Sequence, residues 1–193
     1  WFQEMIDDPS KFRGITTDAK RIINGLLEME KPIVCRLNGA AAGLGASIAL
    51  MCDIIVADER ALIGDPHVKV GLVAGDGGAI IWPQLIGFAR AKEMLLTGEM
   101  LRGTEAAAMG LINYAVPADE LGAKVDEMVG KILANPRWAV RWTKTAVNLV
   151  LRDISNTVTE TAIAYEINSN ATKDRQEAVS ASVEKRAPNY TGE

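Results

Sequence analysis

The stretch from Lys31 to Asp53, KPIVCRLNGAAAGLGASIALMCD, constrains the fold more than any other part of the chain. An apolar run, Ile33 to Leu37, follows Pro32 and is closed by Asn38-Gly39, the pattern of a buried strand ending in a turn. Gly43, Leu44 and Gly45 come next, and Ala46 to Met51 are small or apolar except for Ser47. A strand, a glycine bend and the start of a buried helix aim free backbone N–H groups and the positive end of a helix dipole at one spot. Such a spot holds an anion, or an oxygen that becomes one during a reaction. A dinucleotide-binding reading fails, because Ile48 stands where the third glycine belongs and the helix is too short.

Around this stretch the pattern predicts an α/β chain. Ile22, Ile23, Leu26 and Leu27 have helical spacing from Thr17 onward, and Lys31-Pro32 ends that helix. A short helix is expected from Gly45 to about Cys52, a buried strand at Asp53 to Ala57 and an extended piece at Ala61 to Gly64. Strand, helix and strand in this order make a crossover unit of a parallel sheet. Further helices are expected at Gly75 to Ile86, interrupted or opened by Pro83, and at Ala89 to Leu96. A short one capped by Thr104 ends at Gly110, and Leu111 to Val116 is a last strand. Beyond Pro117 the pattern is wholly helical. One face carries Leu121, Val125, Met128, Val129 and Ile132, and Asn135-Pro136 separates that helix from the next. Separate helices are expected around Val140 to Leu151 and Val158 to Tyr165, then a final one capped by Asp174 and Glu177. The expected division is 1–116 as α/β core and 117–193 as a helical C-terminal extension for packing, assembly and pocket closure.

Composition excludes several classes. A net charge of −4 with no Lys/Arg cluster argues against general nucleic-acid binding. The longest uncharged run, Gly39 to Cys52, is too short for a bilayer span, so no membrane role is expected. One histidine and two cysteines without ligand spacing leave little material for a metal site, and none is expected. Cys35 and Cys52, in apolar surroundings, are expected as reduced, buried thiols in a cytoplasmic setting.

The Lys31 to Asp53 stretch resembles the signature of the crotonase superfamily, the enoyl-CoA hydratase/isomerase family. The likeness continues through Gly64-Asp65-Pro66, Gly71-Leu72, Gly75-Asp76-Gly77-Gly78, Leu96-Thr97-Gly98, Ala106 to Asn113 and the tail Val183 to Pro188. The resemblance implies a ββα spiral core, a homotrimer or dimer of trimers, and an acyl-CoA thioester as substrate, with coenzyme A part of the substrate and no separate cofactor. It implies that the Leu44 N–H donates to the thioester oxygen within a bend formed by Ala42, Gly43, Leu44 and Gly45. Against the family pattern the front portion, with the first of two oxyanion donors and part of the CoA pocket, has no counterpart, so a piece of a longer chain is expected.

At the two positions where family hydratases carry glutamates, this sequence has Ser47 and His67. Serine has no useful basicity near neutral pH, whereas imidazole does. The expected catalytic set is His67 as base or acid, Asp76 orienting it, and Ser47 at the other glutamate's place. The segments Asp65-Pro66-His67, Gly75-Asp76-Gly77 and Ile81-Trp82-Pro83 also resemble 6-oxocamphor hydrolase and related β-diketone hydrolases, in which a His and an Asp activate water without CoA. The tail resembles that of acyl-CoA members, and implies Lys185 or Arg186 near the adenosine phosphates with Tyr190 behind. Three functions follow: an enzyme on an acyl-CoA thioester, a CoA-independent hydrolase of cyclic β-diketones, or an inactive assembly subunit. Arg36, a charge in a strand that reads as buried, is expected to be paired or to face a site or interface. Trp82, Trp138 and Trp142 are expected in the core or in subunit contacts.

Overall fold

The computed structural model describes residues 2–193, Phe2 by its backbone alone. Helix α1 (Phe2–Asp7) leads into α2 (Pro9–Glu28). The sequence pattern placed the start of α2 eight residues late. Asp8 caps it by accepting from the Ser10 N–H at 3.0 Å, and Pro9 fits the first helical position. Phe12, Thr16, Ala19, Ile23 and Leu27, at three- and four-residue spacing, form its buried face.

Strand β1 (Val34–Leu37) is followed by the two-residue β2 (Ala41–Ala42), α3 (Leu44–Leu50), β3 (Ile54–Asp58) and β4 (Leu62–Gly64). A 3-10 turn at His67–Val70 precedes α4 (Gly78–Thr97), which is broken at Gly87 (φ 75, ψ 160) into two helical stretches, as the two helices expected there require. Then come β5 (Met100–Arg102), α5 (Gly103–Met109) and β6 (Tyr114–Val116). The Glu105 carboxylate, accepting from the Arg102 N–H at 2.7 Å, caps α5, rather than Thr104. One sheet runs β1-β3-β6, all parallel, with Val34 opposite Ile54 as the crossover reading requires. The other runs β2-β4-β5, with β5 antiparallel. The core between sheets and helices includes Ile23, Leu50, Ile55, Ile63, Ile80, Trp82 and Leu111. Each such side chain contributes about 1.5–3 kcal/mol.

Three helices complete the chain: α6 (Leu121–Leu133), α7 (Arg137–Ser169) and α8 (Lys173–Glu184). The two helices expected within 137–169 are one, 33 residues long. No glycine or proline interrupts it, and the polar stretch that reads as a break places Ser155 and Thr159 inward, hydrogen-bonded to each other at 3.1 Å. Lys144 anchors α7 to the strand layer through Asp53 at 2.8 Å and the Lys31 carbonyl at 2.9 Å. The Asn148 amide holds it to α2 at the Leu27 carbonyl, 3.1 Å away. Thr172 caps α8, while Asp174 and Glu177 bind the tail instead.

Burial departs from expectation at Arg36 and at the two cysteines. Arg36 is exposed, because β1 turns that face outward, and among the described residues it makes no ion pair. Cys35 and Cys52 are free but only half-buried. Trp82 is core, whereas Trp138 and Trp142 are exposed and stack on each other at 5.3 Å.

Candidate active site

The bend after β2 is set by one residue. Gly43 has φ 55 and ψ −124, a conformation that side chains resist. Its N–H donates to the Gly64 carbonyl at 3.1 Å, tying the bend to β4, and its carbonyl accepts from the Ser47 N–H at 3.0 Å. The Leu44 N–H, at the first position of α3, has no acceptor among the described residues. Gly43 and Leu44 both line a cavity of about 310 Å³. Ala42 lines it too, whereas Gly45 does not. Met5, Phe12, Ile15 and Ala19 of the first two helices, with Val70 and Leu72, make the cavity apolar on the far side.

His67 closes the other wall. A β-carbon on Gly43 would lie 2.9 Å from His67 Cε1 and 3.4 Å from Nε2, so the imidazole rests directly on the bend. Its Nδ1 is hydrogen-bonded to Asp65, and its Nε2 lies 3.5 Å from Asp76 Oδ2. Asp76 lines the cavity and Asp65 does not. From α7, Glu166 reaches the same cavity, buried to 4 % exposure. One oxygen each of Asp65, Asp76 and Glu166 is buried without a hydrogen-bond partner among the described residues.

Burial opposes the charged imidazole, but the Asp65 hydrogen bond and the fields of Asp76, Asp65 and Glu166 outweigh it and push His67 up to about 9. Burial pushes Asp76 up to about 6, with the imidazolium pulling it back. Burial and the Asp76 charge push Glu166 up to about 8. Near neutral pH the site therefore holds a charged imidazole, a charged Asp76 and a neutral Glu166. That is a proton donor, a proton acceptor and a hydrogen-bond donor around one apolar chamber. Asp65, His67 and Asp76 bring possible ligand atoms within 4.8 Å of one another. The two carboxylates sit at opposite nitrogens of one ring, however, so a single ion cannot be ligated by all three in this arrangement.

The structure thus brings together His67, Asp76, Gly43 and Leu44. Ser47 lies elsewhere: it is fully buried on the inner face of α3 against Gly77, where a β-carbon would come within 2.8 Å of its own. Its hydroxyl fills a packing contact and is not on the cavity wall. The tail residues are also apart from the cavity. Arg186 is held by Glu177, at 2.8 Å for the outer contact, and by Glu184. The Tyr190 hydroxyl donates to the Lys69 carbonyl at 3.1 Å, and Lys185 is the exposed left-handed residue ending α8. Sequence reasoning missed Asp65 and Glu166 as site residues. In the folded chain Gly78 and Gly75 approach them closely: a β-carbon would lie 2.1 Å from Asp65 Oδ2 at the first and 2.8 Å from Glu166 Oε2 at the second.

The enoyl-CoA hydratase/isomerase family model matches residues 2–193. A crotonyl-CoA hydratase from Syntrophomonas wolfei is 36% identical over 163 residues, covering 84% of this chain and 62% of the relative. A probable mitochondrial enoyl-CoA hydratase from Dictyostelium discoideum is 37% identical over 169 residues, covering 86% of this chain and 60% of the relative. The chain thus spans less than two thirds of the length of these relatives. Among solved structures, an enoyl-CoA hydratase/isomerase from Mycobacterium paratuberculosis superposes with a TM-score of 0.87 at 34% identity, covering 93% of this chain and 72% of that one. A β-diketone hydrolase from Anabaena sp. PCC 7120, bound to (S)-3-oxocyclohexyl acetic acid, superposes with a TM-score of 0.80 at 28% identity, covering 86% of this chain and 66% of that one. The crotonase-like α/β fold implied by the family resemblance is the fold observed, and the chain belongs to the enoyl-CoA hydratase/isomerase family.

Proposed function

We propose that this protein is an acid–base enzyme acting on an acyl-CoA thioester, with the thioester oxygen held by the Leu44 N–H while His67 and Asp76 move protons. The observation that carries the reading is the seat of the imidazole on the Gly43 bend, beside an N–H that has no acceptor among the described residues. Charge gathering on the carbonyl oxygen as an enolate forms would meet a preorganised donor there, worth roughly 3–4 kcal/mol. For addition of water to an enoyl thioester, the water oxygen bonds to the β-carbon and its proton passes to Asp76. The α-carbon of the enolate takes a proton from His67. Proton exchange across the 3.5 Å between Asp76 and Nε2 restores the pair. This order follows from the charges near neutral pH, which make His67 the acid and Asp76 the working base.

The test is crotonyl-CoA hydration, with acyl-CoA binding followed by calorimetry, in the parent protein and in His67→Gln. Saturable binding and turnover are expected, with a loss of about 100-fold or more in kcat on substitution. Thioester turnover that survives the substitution would sink the assignment.

A second reading, CoA-independent hydrolysis of a cyclic β-diketone, is favoured by the replacement of both family glutamates and by the engagement of Arg186 with Glu177. The same acid, base and oxyanion donor serve it. Water deprotonated by Asp76 adds to a ring carbonyl, the C–C bond breaks, and the enolate left at the Leu44 N–H is protonated by His67. Diketone turnover with no acyl-CoA binding selects this reading. The exposed Trp142, Val147, Leu149 and Val150 of α7 support assembly as a homotrimer or dimer of trimers, which light scattering reads directly.

A further inference from the structure

The ring of His67 is held from a side that substrate cannot reach. Asp65 directly follows β4, two residues before His67, with only Pro66 between them. Its Oδ1 accepts from the His67 backbone N–H at 3.4 Å and is bonded to ring Nδ1, a local turn in which a short acidic side chain binds the backbone two residues on. Pro66, at φ −85, holds that turn. A carboxylate only accepts, so Nδ1 carries a proton and Nε2 is the nitrogen facing Asp76.

Asp65 is itself fixed. It is 1 % exposed and does not line the cavity. Its Oδ2 lies over Gly78, the first residue of α4, at a place a side chain would fill. There the helix dipole favours a negative charge. The Gly43 bend meets the ring at Cε1, between the two nitrogens. The imidazole is thereby held at Nδ1 and at Cε1, and Nε2 is left to work.

We infer that Asp65, rather than Asp76, is the positioning residue of the site: it fixes the tautomer and tilt of His67 so that Nε2 faces Asp76 and the cavity. Asp76 is then the carboxylate that meets substrate or water. The inference rests on His67 as the group that moves the proton in the proposed function, and it separates the two aspartates by task. Gly78 belongs to the arrangement, since a side chain there would displace Asp65.

Asp65→Asn, which keeps the shape and removes the charge, is the test, read on the single histidine of the chain. In the parent protein, nitrogen-15 spectra of the imidazole, followed through its titration, are expected to show Nδ1–H as the neutral tautomer. In the variant the imidazole is expected to titrate at least about one pH unit lower and to populate both tautomers. The same variant is expected to lose about 10- to 100-fold in kcat with KM little changed. An Asp65→Asn protein with unchanged titration, tautomer and kcat overturns the inference. So does a parent protein whose neutral imidazole carries its proton on Nε2, a result that stands even if the variant fails to fold. If the ring responds as expected while neither thioester nor diketone is turned over, the positioning stands and the proposed function falls. If His67→Gln abolishes turnover and Asp65→Asn leaves the ring and kcat unchanged, the function stands and the positioning falls.

Discussion

Gly43→Ala is the substitution whose cost the geometry defines most closely. The backbone at position 43 has φ 55 and ψ −124, and forcing a side chain into such a region costs about 1–3 kcal/mol. The new methyl group would stand 2.9 Å from His67 Cε1, well inside contact distance, and overpacking of this kind costs typically about 1–3 kcal/mol more. The ring can relieve the clash only by swinging away from the bend, which breaks its bond to Asp65. Two effects are therefore expected together. Denaturant unfolding should show a loss of about 2–6 kcal/mol with an unchanged slope, and the Cε1–H resonance of the sole histidine should move. A variant within about 0.5 kcal/mol of the parent, with that resonance in place, would mean that the imidazole does not rest on the bend.

Other outcomes follow from the same groups. The rate kcat/KM should rise with pH through about 6 as Asp76 ionises and fall through about 9 as His67 loses its proton; a profile set by a single group near 6.5 would contradict the pair. Between about pH 4.5 and 9 the site's contribution to stability should fall as pH rises. Glu166 holds its proton more tightly folded than unfolded, so its contribution is lost between about 4.5 and about 8. His67 adds a part present below 6.5 and lost as pH rises through about 9. Glu166→Gln should remove about 1.4 kcal/mol per pH unit of that decline between about 4.5 and 8, measured by urea unfolding across pH. Lys144→Met should destabilise by about 3 kcal/mol, because Asp53 and the Lys31 carbonyl lose a partner that is 6% exposed; thermal melts with an unmoved midpoint would refute the anchoring role of Lys144.

What the sequence made legible was local. The glycine bend reads from Gly43 to Gly45 because a strand, a turn pair and a small-residue helix follow one another without a break. His67 reads because it is the only imidazole and falls on a motif position. Asp65 was visible in the Asp-Pro-His run but was given no role of its own, since no pattern tells which oxygen meets which ring nitrogen. Glu166 had no local signal at all. It lies on the inward line of α7 with Ser155, Thr159 and Ala162, and only the approach of Gly75 to that helix reports the contact. Ser47 was assigned by position alone, and the structure places it against Gly77, off the cavity wall. The length of α7 escaped notice because hydrophobic periodicity fails where a buried helix face is polar.

The central claim is that one carbonyl oxygen meets the Leu44 N–H while the imidazole works beside it. Titrating nitrogen-15-labelled protein with acetoacetyl-CoA, whose enolate carries charge on that oxygen, tests this most directly. The Leu44 amide should move downfield and the His67 ring signals should shift along the same saturation curve. Saturable binding that leaves both resonances where they were would contradict the account.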